Sequence, residues 1–146
     1  MKITICSSVD FTLKIIEIKN ELDKIGHEVD IPFYTQKIID GEVSIDEYLK
    51  IKEKIGDIEF RKKSGEDLIK RHFNNIKKCD CILVLNFDKK GIKNYIGGNT
   101  FLEMGFAYVL NKKIYLYNDI PEMNYSDELK AMNPVVINGD LSKIRL

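Results

Sequence analysis

The sequence predicts an α/β domain of the three-layer, doubly wound type, in which helices cover both faces of a mainly parallel sheet of about five strands. A strand, a helix, a glycine and a second strand follow one another within residues 1–32, and this order is a βαβ unit. The segment 81–85 has five consecutive apolar residues, which is typical of a central parallel strand buried on both faces. Helical and strand-like patterns then alternate towards the end of the chain.

The βαβ unit begins with Ile3–Cys6 as a short strand and the loop Ser7-Ser8-Val9-Asp10. Apolar residues recur at helical spacing over 11–25, and Gly26 supplies a C-terminal stop signal. His27–Pro32 is predicted to be the second strand. Two strands joined through one helix imply a parallel pair with a right-handed crossover.

The remaining elements follow from the same patterns. We expect helices over 41–60 and 65–78, each with an apolar stripe and a face rich in lysine and glutamate. After the central strand come a long polar loop over 86–98 and a helix over 100–110. The chain then has a strand over 113–117, a short helix over 122–132 and a last strand over 134–137. These elements predict a flavodoxin-like or Rossmann-like order with no internal repeat.

Length and composition restrict the class of protein. A chain of 146 residues has the size of one domain, and we expect residues 1–146 to form a single one. Its 23 basic and 23 acidic side chains cancel, so the charge does not favour a nucleic acid polymer as a partner. The chain has no run of 18 apolar residues and shows no signal-peptide pattern, so we expect a cytoplasmic protein without a membrane partner. Three cysteines, two of them one residue apart, predict core packing rather than disulfides or a zinc site.

Ligands of doubly wound sheets bind beyond the carboxyl ends of the strands, so the loops after the first and central strands are the candidate site. Ser7 and Ser8 offer hydroxyls beside backbone amides, which suits an anion or a sugar. The alternative for this loop is that Ser8 or Asp10 caps the first helix. Asp88 follows the central strand and is a candidate to face the same crevice, although aspartate is common in such turns.

The helix predicted over 100–110 is apolar nearly all round, and Glu103 is its only charged residue. A carboxylate in a buried helix is costly unless it is used or satisfied. Thr100 and Glu103 also have the spacing of a capping box, so a structural and a catalytic role both remain open for Glu103. Gly105 and Ala107 would let this helix approach its neighbours closely.

The residues just before this helix are small, since Gly97, Gly98 and Asn99 precede Thr100. Free amides at a helix N-terminus can bind a phosphate or a sugar hydroxyl, although an ordinary tight turn explains two glycines as well. His27 and His72 lie in or beside regular elements, and neither is predicted to be catalytic.

The segment Tyr95-Ile-Gly-Gly-Asn-Thr-Phe-Leu-Glu-Met-Gly-Phe-Ala107, together with Cys79-Asp-Cys-Ile-Leu-Val-Leu-Asn-Phe-Asp88, resembles the nucleoside 2-deoxyribosyltransferase superfamily. That superfamily also contains the 2′-deoxynucleoside 5′-phosphate N-hydrolases. The shared pattern is an apolar strand, an aspartate-bearing loop and a glutamate near the start of a Gly- and Ala-containing helix. The resemblance covers residues 79–118 best, is loose over the first strand and helix, and does not extend over 35–65.

The resemblance implies an N-glycosidase or glycosyl transferase that acts on a nucleoside or nucleotide and uses no cofactor. Glu103 would be the nucleophile that displaces the base and forms a glycosyl ester, which water or a second base then resolves. Asp88 would be the acid that helps the base leave, or a group that binds the sugar. Further residues implied to contact the substrate are Ser7, Ser8, Asp10, Tyr95, Gly98 and Asn99. The resemblance also implies a homo-oligomer, for which the apolar stretch Phe106–Leu110 is a candidate interface.

Departures from the family pattern keep other functions open. Transferases of this family usually have an aspartate shortly before the helix, where this chain has Ile96 and Gly97, and Asn99 stands where glycine is common. The second hypothesis is therefore a module of the same fold that binds a nucleoside or nucleotide without catalysis. A third is a flavodoxin-like electron carrier, for which the loop after the first strand is a poor match.

Overall fold

The computed structural model describes residues 1–63 and 67–145, and the side chains of these except 55–61 and 63. It contains five parallel strands in one sheet: β1 (Lys2–Ser7), β2 (Glu28–Asp30), β3 (Cys81–Leu85), β4 (Lys113–Leu116) and β5 (Val135–Val136). Among the described residues the helices are α1 (Thr12–Lys24), α2 (Phe33–Ile39), α3 (Ile45–Lys63), α4 (Leu68–Lys78), α5 (Gly98–Val109) and α6 (Ser126–Ala131). The predicted α/β class and the sheet of about five parallel strands are confirmed.

The strand order is β2-β1-β3-β4-β5, and every neighbouring pair is parallel. The chain therefore reverses its direction of winding between β1 and β3, which is the point where such sheets bind ligands. The register pairs Ile3 with Cys81 and Ser7 with Leu85, so β1 and β3 end level with each other. Both loops of the predicted site thus leave the same edge of the sheet.

Two apolar layers enclose the sheet. One layer packs α1 against the face that carries Ile5 and Leu83, and Ile137 and Ile144 complete it. The other packs α4, α5 and α6 against the opposite face, which carries Cys6, Ile82 and Val84. Every residue of β3 is buried, as the run of five apolar residues predicted. None of the helices in the described part of the chain is long and apolar enough to cross a bilayer.

Some boundaries differ from those predicted. Helix α2 was not expected, because Pro32 was assigned to the second strand, whereas the structure ends β2 at Asp30 and places Pro32 at the N-cap of a helix. Helix α4 begins at Leu68 with Asp67 as its cap, and the predicted start at Gly65 lies outside the described residues. Ser8 caps a short 3₁₀ turn, Val9–Phe11, rather than α1 itself.

Candidate active site

A cavity of about 670 Å³ lies at the edge of the sheet where β1 and β3 end. The loops after β1 and β3, the start of α2, and parts of α3, α4 and α5 form its walls. This volume is within the range of small-molecule sites. The predicted site residues that line it are Ser7, Ser8, Asp10, Tyr95, Gly98, Asn99 and Glu103.

Glu103 lies in the second turn of α5 and reaches the cavity. The helix begins at Gly98 with Gly97 as its N-cap and has no side-chain cap, so Thr100 and Glu103 do not form the capping box that was the structural alternative for Glu103. The reason is that the helix starts two residues before Thr100, which leaves Glu103 too far along the helix to reach the N-cap amide. The Glu103 side chain is 18% exposed. Its carboxylate is therefore directed towards the cavity rather than used to cap the helix.

His72 lies in the site although the sequence analysis did not predict a catalytic role for it. It lies on α4, its ring is 10% exposed, and its Nε2 lies 3.7 Å from the Glu103 carboxylate. Burial lowers the pKa of His72 from 6.5 to about 4, against the opposing effect of the Asp30 charge and a hydrogen bond with the Ile5 backbone. The imidazole is therefore neutral near pH 7, and its contact with Glu103 is not a salt bridge.

Cys6 completes a small cluster with these two side chains. Its Sγ lies 3.5 Å from the His72 Nε2. Burial raises the pKa of the Cys6 thiol well above its usual range, and the nearby Glu103 charge raises it further. The thiol therefore stays protonated, which makes Cys6 a poor nucleophile.

Hydrogen bonds join the end of β1 and the loop after it to the end of β3 and the loop after it. The Ser7 hydroxyl donates to the Leu85 carbonyl (2.9 Å), and the Lys89 ammonium donates to the Ser8 hydroxyl (3.0 Å). Lys89 also forms an ion pair with Asp10, and Lys52 lies 3.5 Å from the same carboxylate. Burial tends to raise the pKa of Asp10, but the hydrogen bond from Lys89 and the charge of Lys52 outweigh it and lower the pKa. Asp10 is therefore held ionised.

Asp88 does not line the cavity. Its carboxylate accepts a hydrogen bond from the Asn94 backbone amide (2.9 Å), across a turn in which Lys90, Gly91 and Asn94 have positive φ. The carboxylate thus stabilises the loop that follows β3. The residue type fits such a turn, which was the structural alternative for this position.

Tyr95 connects that loop to the beginning of α5. A Cβ at Gly97 would lie 3.2 Å from the Tyr95 ring, so a glycine at this position leaves room for the ring. The ammonium groups of Lys89 and Lys90 each lie 5.7 Å from the ring centroid. Tyr95 therefore forms a cavity wall flanked by cations.

The opposite wall comes from α2, α3 and α4, where the sequence offered no resemblance. The rings of Phe33, Tyr34 and Tyr48 line it, with centroid distances of 5.2 Å between the first two and 5.3 Å between the last two. The Arg71 guanidinium lies 4.8 Å from the Phe33 ring, and Lys52 also faces the cavity. Three aromatic residues within 33–48 were the signal for this wall, but only the fold shows that they face the predicted site.

One solved structure similar to this chain is that of the CMP N-glycosidase BcmB from Clostridium botulinum. The identity is 18%, the TM-score is 0.48, and the similarity covers 94% of this chain and 87% of that chain. No family model matches the chain, and no curated protein matches it.

Proposed function

We propose that the protein breaks or transfers the N-glycosidic bond of deoxynucleosides or nucleoside 5′-monophosphates, with Glu103 as the nucleophile. The observation that carries the proposal is the position of Glu103, a poorly exposed carboxylate that borders a cavity of nucleotide size next to a neutral imidazole. A helix glutamate that does not cap its helix is better explained by use in a site.

The chemistry requires an ionised carboxylate and a leaving base. Glu103 would attack the anomeric carbon, the bond from that carbon to the base nitrogen would break, and a glycosyl ester of Glu103 would form. Water or a second base would then attack the same carbon and release the carboxylate. Neutral His72 supports this step, because it places no cation beside the attacking oxygen.

The leaving base must receive a proton. Asp10 is unsuited to donate one because Lys89 and Lys52 hold it ionised, and Asp88 lies outside the cavity lining. The remaining donor candidates on the cavity wall are Glu53 and the hydroxyls of Tyr34, Tyr48 and Tyr95, of which Tyr95 lies next to the start of α5. Asp88 would contribute by holding the Tyr95 loop through its bond to Asn94.

The walls favour a substrate with a base and a phosphate. Among the described residues, four cationic side chains line the cavity (Lys52, Arg71, Lys89 and Lys90) against three carboxylates (Asp10, Glu53 and Glu103). With His72 neutral, this described part of the lining has one positive charge in excess, which suits a 5′-monophosphate. The aromatic side chains of α2 and α3 supply faces on which a base can stack. Ser7, Ser8, Gly98 and Asn99 would contact the sugar or the phosphate.

The experiment is a panel of deoxynucleosides and their 5′-monophosphates, with free base followed by chromatography and a second base added to parallel reactions. We expect the wild type to release base and Glu103→Gln to lose at least about 10³-fold in rate, as expected when a nucleophile is removed. Glu128→Gln, an exposed carboxylate on α6, is the matched control. Full turnover by Glu103→Gln would overturn the proposal.

The second candidate is a non-catalytic module that binds the same ligands. The observation that favours it is that Asp88, the carboxylate expected to act as the acid, does not line the cavity. This candidate predicts that a nucleotide raises the melting temperature while no base is released from any substrate. Release of base that disappears in Glu103→Gln would exclude it.

A further inference from the structure

We infer that Cys6, His72 and Glu103 form a binding site for a thiophilic divalent metal ion such as Zn²⁺. One ligand atom from each side chain lies within 4.8 Å of the other two. Among the described residues this is the group of histidine, cysteine and carboxylate side chains close enough to bind one ion together. Thiolate, imidazole and carboxylate are the ligands that zinc prefers.

The distances suit tetrahedral coordination. The Cys6 Sγ lies 3.5 Å from the His72 Nε2, which in turn lies 3.7 Å from the Glu103 carboxylate. Around a tetrahedral zinc ion, bond lengths of about 2.0–2.3 Å separate neighbouring ligand atoms by about 3.3–3.6 Å. Small side-chain movements would therefore bring all three atoms to one ion.

The three ligands are also held by rigid elements. Cys6 lies on β1, an interior strand, His72 on α4 and Glu103 on α5, and both helices pack against that strand in one buried layer. The His72 ring has a further hydrogen bond with the Ile5 backbone, and a backbone partner of this kind helps to orient a metal-bound histidine. Such a site is largely formed before the ion arrives.

The charges balance and a fourth coordination position is accessible. The thiol proton would leave to solvent through the cavity, so the thiolate and the carboxylate together would neutralise a divalent cation. His72 and Glu103 both line the cavity, from which water can supply the fourth ligand. A site with three protein ligands and one open position is a common arrangement for zinc in enzymes.

Binding of Zn²⁺ to these three side chains would have a consequence for activity, which rests on the proposed function. A carboxylate bonded to zinc cannot attack the anomeric carbon, so the ion and glycosyl transfer would compete for Glu103. We therefore expect Zn²⁺ to inhibit base release and a chelator to restore it.

The test is a titration of the purified, reduced protein with Co²⁺, a spectroscopic substitute for Zn²⁺. We expect one Co²⁺ to bind per chain, with thiolate-to-cobalt charge transfer in the near ultraviolet and the visible bands of tetrahedral cobalt. Added Zn²⁺ should displace the cobalt and abolish these bands. Cys6→Ser should lose the charge transfer, while Cys79→Ser, a second buried cysteine outside the cluster, should keep it. Absence of charge transfer in the wild type, or its persistence in Cys6→Ser, would overturn the inference.

Competition with a chromophoric chelator gives a second measurement that does not depend on the cysteine variants. His72→Gln and Glu103→Gln should each weaken Zn²⁺ binding by about 10-fold or more, with folding checked by circular dichroism. Unchanged affinity in both folded variants would contradict the site. Cobalt binding without any base release would support the metal site and reject the proposed function. Base release without cobalt binding would support the proposed function and reject the metal site.

Discussion

At the scale of single residues, burial determines the chemistry of the site. His72 has a carboxylate 3.7 Å away and is nevertheless neutral, because the loss of solvation on burial outweighs the attraction of nearby negative charges. The same burial keeps the Cys6 thiol protonated. Glu103 therefore lies beside two neutral side chains, His72 and Cys6.

The lowered pKa of His72 predicts a pH dependence of stability. The unfolded histidine binds a proton near pH 6.5, whereas the folded one does so only at about 4. As the pH falls below 6.5, the unfolded state therefore binds a proton that the folded state does not. The free energy of unfolding is highest above pH 6.5 and falls by up to roughly 3 kcal/mol as the pH approaches 4. Urea unfolding from pH 8 to 5 should show a steeper loss for the wild type than for His72→Gln. Equal slopes in the wild type and His72→Gln would contradict the assignment.

Lys89 permits a second prediction at this scale, because it joins Ser8 and Asp10 beside the Tyr95 ring. If the cavity binds a 5′-monophosphate, Lys89→Met should weaken that ligand by about 10-fold or more, the value of one charge-assisted hydrogen bond. Binding of the uncharged nucleoside should change less. Calorimetric titration of both ligands measures the difference, with Lys93→Met, exposed on the same loop, as the control. Equal losses for both ligands would argue against a phosphate contact.

At the scale of elements, α5 shows where sequence reasoning succeeded and where it failed. The apolar pattern predicted the helix with a start near Thr100, whereas the true start at Gly98 changes the environment of Glu103. The close approach expected at Gly105 is also absent, since a Cβ there would meet no atom within 4 Å among the described residues. Ala107, by contrast, is fully buried.

The open space beside Gly105 predicts that an alanine at this position stabilises the protein. Gly105→Ala should raise the free energy of unfolding by about 0.5–1 kcal/mol, because alanine loses less backbone entropy in a helix and has open space for its methyl group. Chemical denaturation measures the change, and base release should stay at the wild-type level because Gly105 does not line the cavity. A destabilised variant would show that the helix face is covered in solution.

The predicted homo-oligomer concerns the same helix. Phe106 packs its ring against Phe73 at 5.1 Å, whereas Tyr108 and Val109 are 55% and 73% exposed. The candidate interface Phe106–Leu110 is thus partly core and partly surface, and the oligomer stays a prediction. Light scattering of the wild type and of Val109→Lys measures it directly: an oligomer held by this face should dissociate in the variant.

At the scale of the whole molecule, the strand order explains both what was predictable and what was not. Local patterns revealed β1, α1 and β3, and the rule that ligands bind beyond the carboxyl ends of parallel strands selected the two loops that line the cavity. Cys6 and His72 are 66 residues apart in the chain, and only the placement of β3 beside β1 and of α4 over that pair brings them together. The aromatic wall from α2 and α3 depends on tertiary packing in the same way.

A ligand that fits this cavity should stabilise the entire domain. At a concentration of about 100 times its Kd, a 5′-monophosphate should add about 2.7 kcal/mol, which for a chain of this size raises the melting temperature by roughly 5–10 °C. Glu103→Gln binds without turnover and is the suitable protein for this thermal melt. The shift should shrink with added salt, because the described residues of the lining have an excess of positive charge. No shift with any deoxynucleoside or monophosphate would contradict a nucleotide site.

The central claim is that Glu103 forms a bond to the sugar, and mass spectrometry of the acid-quenched reaction tests it most directly. The wild type, mixed with the substrate that releases base fastest, should yield a Glu103 peptide heavier by one deoxyribosyl group, or its 5-phosphate, and Glu103→Gln should yield none. Base release with an unmodified Glu103 peptide, or with the added mass on another residue, would contradict the account.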